Sequence, residues 1–350
     1  MNFKKLVILT NMPSPYQVDF FNTLSAHIKL KVIYAQKSLK ERKWKYEGNI
    51  KHPHTFLSGS FIKRVSQLKK LSDEKDTVYI VSGYDIPEFI YFMTLLSKRK
   101  RKWLFWGEKI RLNKLSLKRR TVLRLLKNAR AILGIGEVAA RLYHELTGIT
   151  TFNLPYHINT SRFKRDSYFQ DNRVNFVYSG QIIERKGVIY ILDAFESIVE
   201  RFNDAVALHI AGDGPLFKYI KERTKTYEAR VRFYGFVRYE ELPIIYQKGD
   251  VFLFPSIYDG WGVALAEGMA SGMAPISTYS TGASTDLILH GYNGFIIPPE
   301  NSKMLAHYME QLINKQELIR KFGNRARRYV ISNNDVKSGV EKLLNILSLI

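Results

Sequence analysis

Apolar and polar positions along the 350 residues follow two alternating periods. Short β-branched runs end in Gly, Pro or Ser, and stretches of helical periodicity follow them. In the first half, runs at 6–10, 31–35, 78–82, 103–106, 131–134 and 151–154 predict strands, and 17–27, 87–98, 116–128 and 138–146 predict helices. The second half repeats this, with strands at 175–179, 207–211, 231–234, 251–254, 274–277 and 294–297. Its predicted helices are 188–201, 216–227, 242–247, 263–270, 285–289 and 302–312, and residues 314–350 read as further helix without strands. This alternation implies parallel sheets covered on both faces.

The expected fold class is therefore α/β, with two doubly wound, Rossmann-like domains facing a cleft. The expected division is 1–160, then a charged linker at 161–173, then 174–330, with 331–350 as a helix packing back on the first domain. Ligands of such folds bind outside the carboxyl ends of the strands, so chemistry is sought in the loops that follow strands.

Composition agrees with two globular cores: hydrophobic residues make up 45% and charged residues 25%. The chain has no Cys, which excludes disulfides, thiolate metal sites and a cysteine nucleophile. Charge changes the picture more. The net charge is +22. Residues 1–160 hold 30 Lys and Arg against 11 Asp and Glu, whereas residues 161–350 hold 24 against 21. A field confined to one half points to an anionic partner for that half: membrane surface, nucleic acid or acidic substrate. The competing explanation is a lysine-rich surface that only maintains solubility.

Residues 98–130 contain fourteen basic side chains and one acid, Glu108. Arg120, Arg124 and Lys127 share one helix face, and Leu115, Val122 and Leu126 share another. Such a helix suits an anionic membrane surface, or packs as an ordinary surface helix on its leucines. No run of 18 apolar residues occurs, so no spanning helix is expected. The apolar run at 6–9 is too short for a signal peptide.

Three loops in the second half carry candidate chemistry. Gly180-Gln181-Ile182-Ile183-Glu184-Arg185-Lys186-Gly187 follows the strand at 175–179. Gly180 permits close backbone approach, and Lys186 puts an ammonium at the start of a helix, where anions are favoured. Gly212-Asp213-Gly214-Pro215 follows the strand at 207–211, and turn chemistry alone accounts for it. The third loop runs from Pro255 through Asp259-Gly260-Trp261-Gly262-Val263 into a helix that carries Glu267. Gly260 and Gly262 clear space at the helix N-terminus, whose N–H groups suit a phosphate. Asp259 and Glu267 could accept hydrogen bonds from hydroxyls on either side of it. A sugar nucleotide has that order of groups: sugar, diphosphate, ribose.

These stretches, with Glu267-Gly268-Met269-Ala270-Ser271-Gly272, Asn293-Gly294-Phe295 and the N-terminal Pro13-Ser14-Pro15-Tyr16, resemble the GT-B retaining glycosyltransferases of family 4, the group 1 transferases. The resemblance is to members that build bacterial surface polysaccharides. It implies transfer of a sugar from a nucleotide-sugar donor to an acceptor hydroxyl, without a metal or other cofactor. It implies that Lys186 contacts the donor diphosphate and that Asp259 faces the donor sugar. Glu267 would bind ribose hydroxyls, and Gly262 and Val263 would offer backbone N–H groups. Gly180, Gln181, Arg185 and Gly212 complete the implied donor-binding set.

Two positions depart from the family pattern. Gln181 stands where Arg is usual, with Arg185 placed to compensate, and Asp259 stands where Glu is usual. Glu108 stands where the family commonly has an acceptor-side histidine. A lipid-linked or membrane-associated acceptor and peripheral attachment to the cytoplasmic face of the membrane are implied for the basic half.

Other readings are weaker. Gly134-Ile135-Gly136-Glu137-Val138-Ala139 fits a dinucleotide fingerprint, but no acid lies between Glu145 and Asp166, where the ribose partner belongs. No P-loop and no Asp-x-Asp occur. His52, His54, His144 and His157 lack zinc spacing. A sugar-nucleotide epimerase of the same fold is the alternative enzyme. A nucleic-acid-binding protein would explain the charge, but no basic-aromatic module supports it, so no nucleic-acid partner is expected.

Overall fold

The computed structural model describes residues 3–37, 50–110, 116–164 and 173–350. It divides into two units: Met1–His157 with Val336–Ile350, and Ile158–Asp335.

The first unit begins β1 (Lys5–Thr10), α1 (Pro15–Leu24), β2 (Leu30–Tyr34), β3 (His54–Phe56), α2 (Phe61–Leu71), β4 (Thr77–Ser82) and α3 (Pro87–Lys98). It continues β5 (Trp103–Gly107), α4 (Leu117–Leu126), β6 (Ala131–Gly134), α5 (Glu137–Thr147) and β7 (Thr151–Asn153). Among the described residues its seven strands are all parallel, in the order β3-β2-β1-β4-β5-β6-β7. Phe89, Phe92, Met93 and Leu96 recur at helical spacing on α3 and bury against Tyr79, Val81, Trp103 and Phe105 of the sheet. On the other face Trp106 of β5 meets Phe20 and Phe21 of α1, and the last helix of the chain packs against α1.

The second unit contains β8 (Val174–Ser179), α6 (Val188–Phe202), β9 (Val206–Ala211), α7 (Phe217–Arg223), β10 (Val231–Gly235), α8 (Leu242–Tyr246) and β11 (Val251–Phe254). Next come α9 (Val263–Ala270), β12 (Ala274–Thr278), α10 (Gly282–Leu287), β13 (Phe295–Ile297), α11 (Ser302–Asn314) and α12 (Gln316–Asn334). The final helix, α13 (Val336–Ser348), belongs to the first unit. Among the described residues the six strands of the second unit are parallel in the order β10-β9-β8-β11-β12-β13. From β8 the chain builds outward to β9 and β10; from β11 it builds the opposite way. The topological switch point therefore lies between β8 and β11, where open α/β sheets leave a crevice.

Both units are the doubly wound α/β class expected from the alternation. Several details differ. The chain enters the second unit at Ile158, not within 161–173, and leaves it after Asp335, not at 330. Both passages are fastened within the second unit: Ile158 N donates to Asn334 O at 3.0 Å, and Thr160 Oγ1 donates to Asp335 Oδ2 at 2.6 Å. Phe163, inside the expected linker, is buried and packs its ring against Tyr246; residues 165–172 of that linker lie outside the described residues. β3 and α2 were not anticipated, because three strand residues and a helix with only Leu68 and Leu71 buried give little periodic signal. The helix expected over 216–227 stops at Arg223, and a 3-10 segment, Lys225–Arg230, kinked at Tyr227, follows it. Val122 and Leu126 of α4 are fully buried core residues, so that face is not available to lipid; Leu115 lies outside the described residues.

Candidate functional site

The two loops that flank the switch point of the second unit carry Lys186 and Asp259. A short 3-10 turn, Glu184–Lys186, follows β8 and ends at Gly187 in the left-handed region, with φ 71°. A Cβ at Gly187 would stand 2.0 Å from the Pro255 carbonyl oxygen. Only glycine lets this turn lie directly on the loop after β11. Ile257 N also donates to Arg185 O at 2.9 Å. This backbone contact brings the side chains together: Lys186 Nζ forms an ion pair with Asp259 Oδ2, both side chains being about 15% exposed. Arg185 Nη1 lies 3.9 Å from Asp259 Oδ1 and donates to Tyr258 O at 2.6 Å. The Lys186 ammonium also sits 5.2 Å from the centre of the Phe254 ring.

Asp259 opens the approach to α9. Gly262, the residue before α9, has φ 105°, and a Cβ there would meet Phe254 and Thr281 side chains at 2.8 and 2.9 Å. No side chain caps α9. Its first-turn N–H groups, at half-buried Val263 and Ala264, keep the partial positive charge of a helix start. Trp261, flanked by glycines, reads in sequence as part of an opened ligand loop. The structure gives it a different role. It is fully buried, and Nε1 donates to Asp286 Oδ2 at 2.7 Å, anchoring the loop to α10. The buried hydroxyl of Ser256 in the same loop has no hydrogen-bond partner among the described residues.

Glu267 lies four residues, just over one turn, into α9, and only 4% of it is exposed. Tyr246 Oη donates to its Oε2 at 3.3 Å. Burial raises the carboxyl to about 7, and the Tyr246 hydroxyl partly offsets that rise. Tyr246 itself is pushed well above the usual phenol range by burial and by the neighbouring carboxylate. Nothing in the sequence marked Tyr246, because its relation to Glu267 crosses from α8 to α9. Tyr178, at the end of β8, is likewise raised by burial and by the Asp259 charge, and donates to Gln181 O at 2.7 Å.

Gly180 and Gly212 lie on neighbouring loops. A Cβ on Gly212 would stand 1.8 Å from Gly180 O, and one on Gly214 would stand 2.4 Å from Ile182 O. Close loop packing thus accounts for both glycines of the Gly-Asp-Gly run. Gln181 is exposed. Lys186, Arg185 and Asp259 are brought into one cluster, with Gly262 and Val263 at the adjacent helix start. Glu267 is held separately, by Tyr246.

Glu108 belongs to the first unit, just past β5. It is exposed, its Oε1 accepts from Tyr156 Oη at 3.1 Å, and its carbonyl accepts from Tyr143 Oη at 2.9 Å. Burial, then the Glu108 charge, raises Tyr156. His52, between Asn22 and Tyr34, is lowered to about 4 by burial, as for a neutral packing residue. His157 is buried beneath Gly339 of α13. A Cβ on Gly134 would stand 2.4 Å from the Ala140 backbone nitrogen, so Gly134 serves strand-to-helix packing.

Residues 159–329 match the family Glycosyl transferases group 1, a stretch that spans nearly the whole second unit. An uncharacterised glycosyltransferase of Methanocaldococcus jannaschii is 29% identical over 175 residues, 49% of this chain and 42% of that protein. The alpha-D-kanosaminyltransferase of Streptomyces kanamyceticus is 31% identical over 158 residues, 44% of this chain and 40% of that protein. The matched stretches thus span less than half the length of these two relatives. Among solved structures, Anabaena HepE in complex with UDP superposes with a TM-score of 0.80 at 16% identity, covering 99% of this chain and 100% of that one. Sucrose-phosphate synthase of Thermosynechococcus elongatus gives 0.80 at 14%, covering 99% and 98%. These likenesses establish the GT-B glycosyltransferase fold class.

Proposed function

We propose that the chain is a glycosyltransferase that moves a sugar from a nucleotide-sugar donor to an acceptor hydroxyl. The observation that carries this reading is the Lys186–Asp259–Arg185 cluster at the switch point of the group 1 domain, beside the open start of α9. In such a transfer the bond from the anomeric carbon to the diphosphate breaks, and the diphosphate leaves with the electron pair. The acceptor oxygen takes its place on the sugar and loses its proton. Lys186 and Arg185 would meet the charge that develops on the leaving diphosphate, assisted by the N–H groups at Val263 and Ala264. Asp259 would release Lys186 to the donor and face the donor sugar. Glu267 would accept hydrogen bonds from the ribose.

Retention of anomeric configuration, independence from metal and work on a cell-surface polysaccharide or glycolipid belong to the same proposal. Support for the substrate class comes from relatives such as a capsular polysaccharide biosynthesis glycosyltransferase of Staphylococcus aureus, 30% identical over 159 residues, and from the presence of UDP-glucose in a HepE complex. The basic first half supports a lipid-linked or membrane-associated acceptor and peripheral attachment on the cytoplasmic side; among the described residues no helix is long and apolar enough to cross a membrane. The test is release of nucleoside diphosphate from a panel of nucleotide-sugars, in the presence of a chelator. Release from one donor, abolished by Lys186→Ala, supports the reading. No release from any donor, or release that requires added Mg²⁺, contradicts the corresponding part of it.

A further inference from the structure

The N-terminal ends of α2, α3 and α4 lie along one edge of the first unit. Two contacts tie them together: Arg64 Nη1 pairs with Glu88 Oε1 at 2.9 Å, joining α2 to the first turn of α3, and Lys118 Nζ donates to Asp85 O at 3.0 Å, joining α4 to the residue two before α3. On this edge Phe61, Ile62 and Leu117 are 54%, 78% and 81% exposed. Phe61 and Leu117 are the first residues of their helices and Ile62 the second of α2, where polar side chains cost nothing and apolar ones gain nothing from water. A single exposed leucine needs no explanation. Two consecutive large apolar residues and a third on a helix of the same edge form a pattern that does.

The charges around them are, among the described residues, mostly basic. Neither α2 nor α4 contains an acid, and each contains four Lys or Arg. The acid in the first turn of α3, Glu88, is buried against Arg64, and Asp85, two residues before α3, is an exposed acid beside these helix starts. Helix N-termini add partial positive charge at the same edge.

We propose that this edge docks on an anionic lipid bilayer, with Phe61, Ile62 and Leu117 entering the interface while Lys63, Lys118 and Arg120 meet lipid phosphates. Basic side chains bracketing apolar ones distinguish a bilayer from a soluble polyanion: the phosphates attract the bases, and only the acyl boundary rewards apolar insertion. The inference deepens the membrane-associated acceptor of the proposed function and rests on that part of it. It does not depend on the identity of the donor.

The experiment is co-sedimentation of the full chain, without nucleotide-sugar, with vesicles of phosphatidylglycerol and phosphatidylcholine or of phosphatidylcholine alone. Binding is expected only to the anionic vesicles. Phe61→Ser, Ile62→Ser and Leu117→Ser together should lower partitioning by roughly a hundredfold. Lys63→Glu with Arg120→Glu should remove most of the salt dependence. All five positions are exposed, and retention of the thermal midpoint checks the fold. As a second reading, the indole introduced by Ile62→Trp should shift its emission to the blue on anionic vesicles. Binding unaffected by the triple serine change, or an introduced indole whose emission does not move, overturns the proposal. Donor-induced stabilisation measured on the same preparations reports separately on the transferase reading, so either can fail alone.

Discussion

Lys186 and Asp259 sit on loops that follow two different strands, β8 and β11, and are joined by an ion pair across the topological switch point. Asp259 thus occupies one side of the Lys186 ammonium, and Arg185 stands 3.9 Å from the same carboxylate.

Asp259→Asn should strengthen nucleoside diphosphate binding while reducing turnover. Removing a negative charge that lies within about 4 Å of both cations changes their attraction for an anion by about 1–4 kcal/mol at effective dielectric constants between water and a protein surface. Calorimetric titration of wild type and variant checks this. Weaker or equal diphosphate binding in a folded variant would mean that the pair does not compete with the ligand.

The Glu267 carboxyl gives a pH signature. Its folded-state value of about 7 lies above the ordinary 4.5, so the folded chain holds this proton more tightly than the unfolded chain. The resulting stability is fully present below about pH 4.5 and is lost as pH rises through about 7. The size of the effect is about 3 kcal/mol. Glu267→Gln should remove this pH-dependent part, so the variant gains stability relative to wild type as pH rises toward 8. The same variant should bind the donor more weakly, since a charged acceptor is worth about 1.5–3 kcal/mol in a hydrogen bond. Urea denaturation of both proteins from pH 4.5 to 8 measures the first effect, and parallel curves would refute it.

Gln181 is exposed in the loop after β8. Gln181→Arg adds a guanidinium beside the Lys186 turn and should raise diphosphate affinity and its salt sensitivity. No change in that variant, together with a silent Arg185→Ala, would separate this loop from the diphosphate.

Gly187→Ala tests the backbone contact that assembles the cluster. Its Cβ would need to displace the Pro255 carbonyl from 2.0 Å while the residue holds φ 71°. A loss of about 2–4 kcal/mol is expected, with donor binding reduced. Unchanged stability would show that the two loops do not depend on this approach.

Much of the architecture was legible because the strands are buried on both faces and the helices carry clear apolar stripes. The spans 87–98, 131–134, 251–254 and 263–270 form elements with the bounds read from sequence. The failures have local causes. β3 is three residues long, and α2 buries only two side chains, too few to register a period. Lys186, Arg185 and Asp259 were singled out by residue type and loop position, but their pairing depends on Gly187 lying against Pro255, a contact between residues 68 positions apart. The anchoring of this loop by Trp261 was not legible, because its partner, Asp286, lies on α10. Tyr246 was invisible because an apolar helix face that carries one tyrosine looks the same whether or not a carboxylate lies across from it.

The central claim is that the Lys186 cluster and Glu267 bind a nucleotide-sugar. Its most direct test is thermal unfolding of wild type, Lys186→Ala and Glu267→Ala against a panel of nucleotide-sugars and nucleoside diphosphates. A ligand bound only by the folded state raises stability by about 2.7 kcal/mol at a hundred times its Kd. The account predicts that at least one nucleotide-sugar raises the wild-type midpoint and that each alanine variant, folded in its absence, loses most of that rise. No stabilisation by any member of the panel, or equal stabilisation of all three proteins, would contradict it.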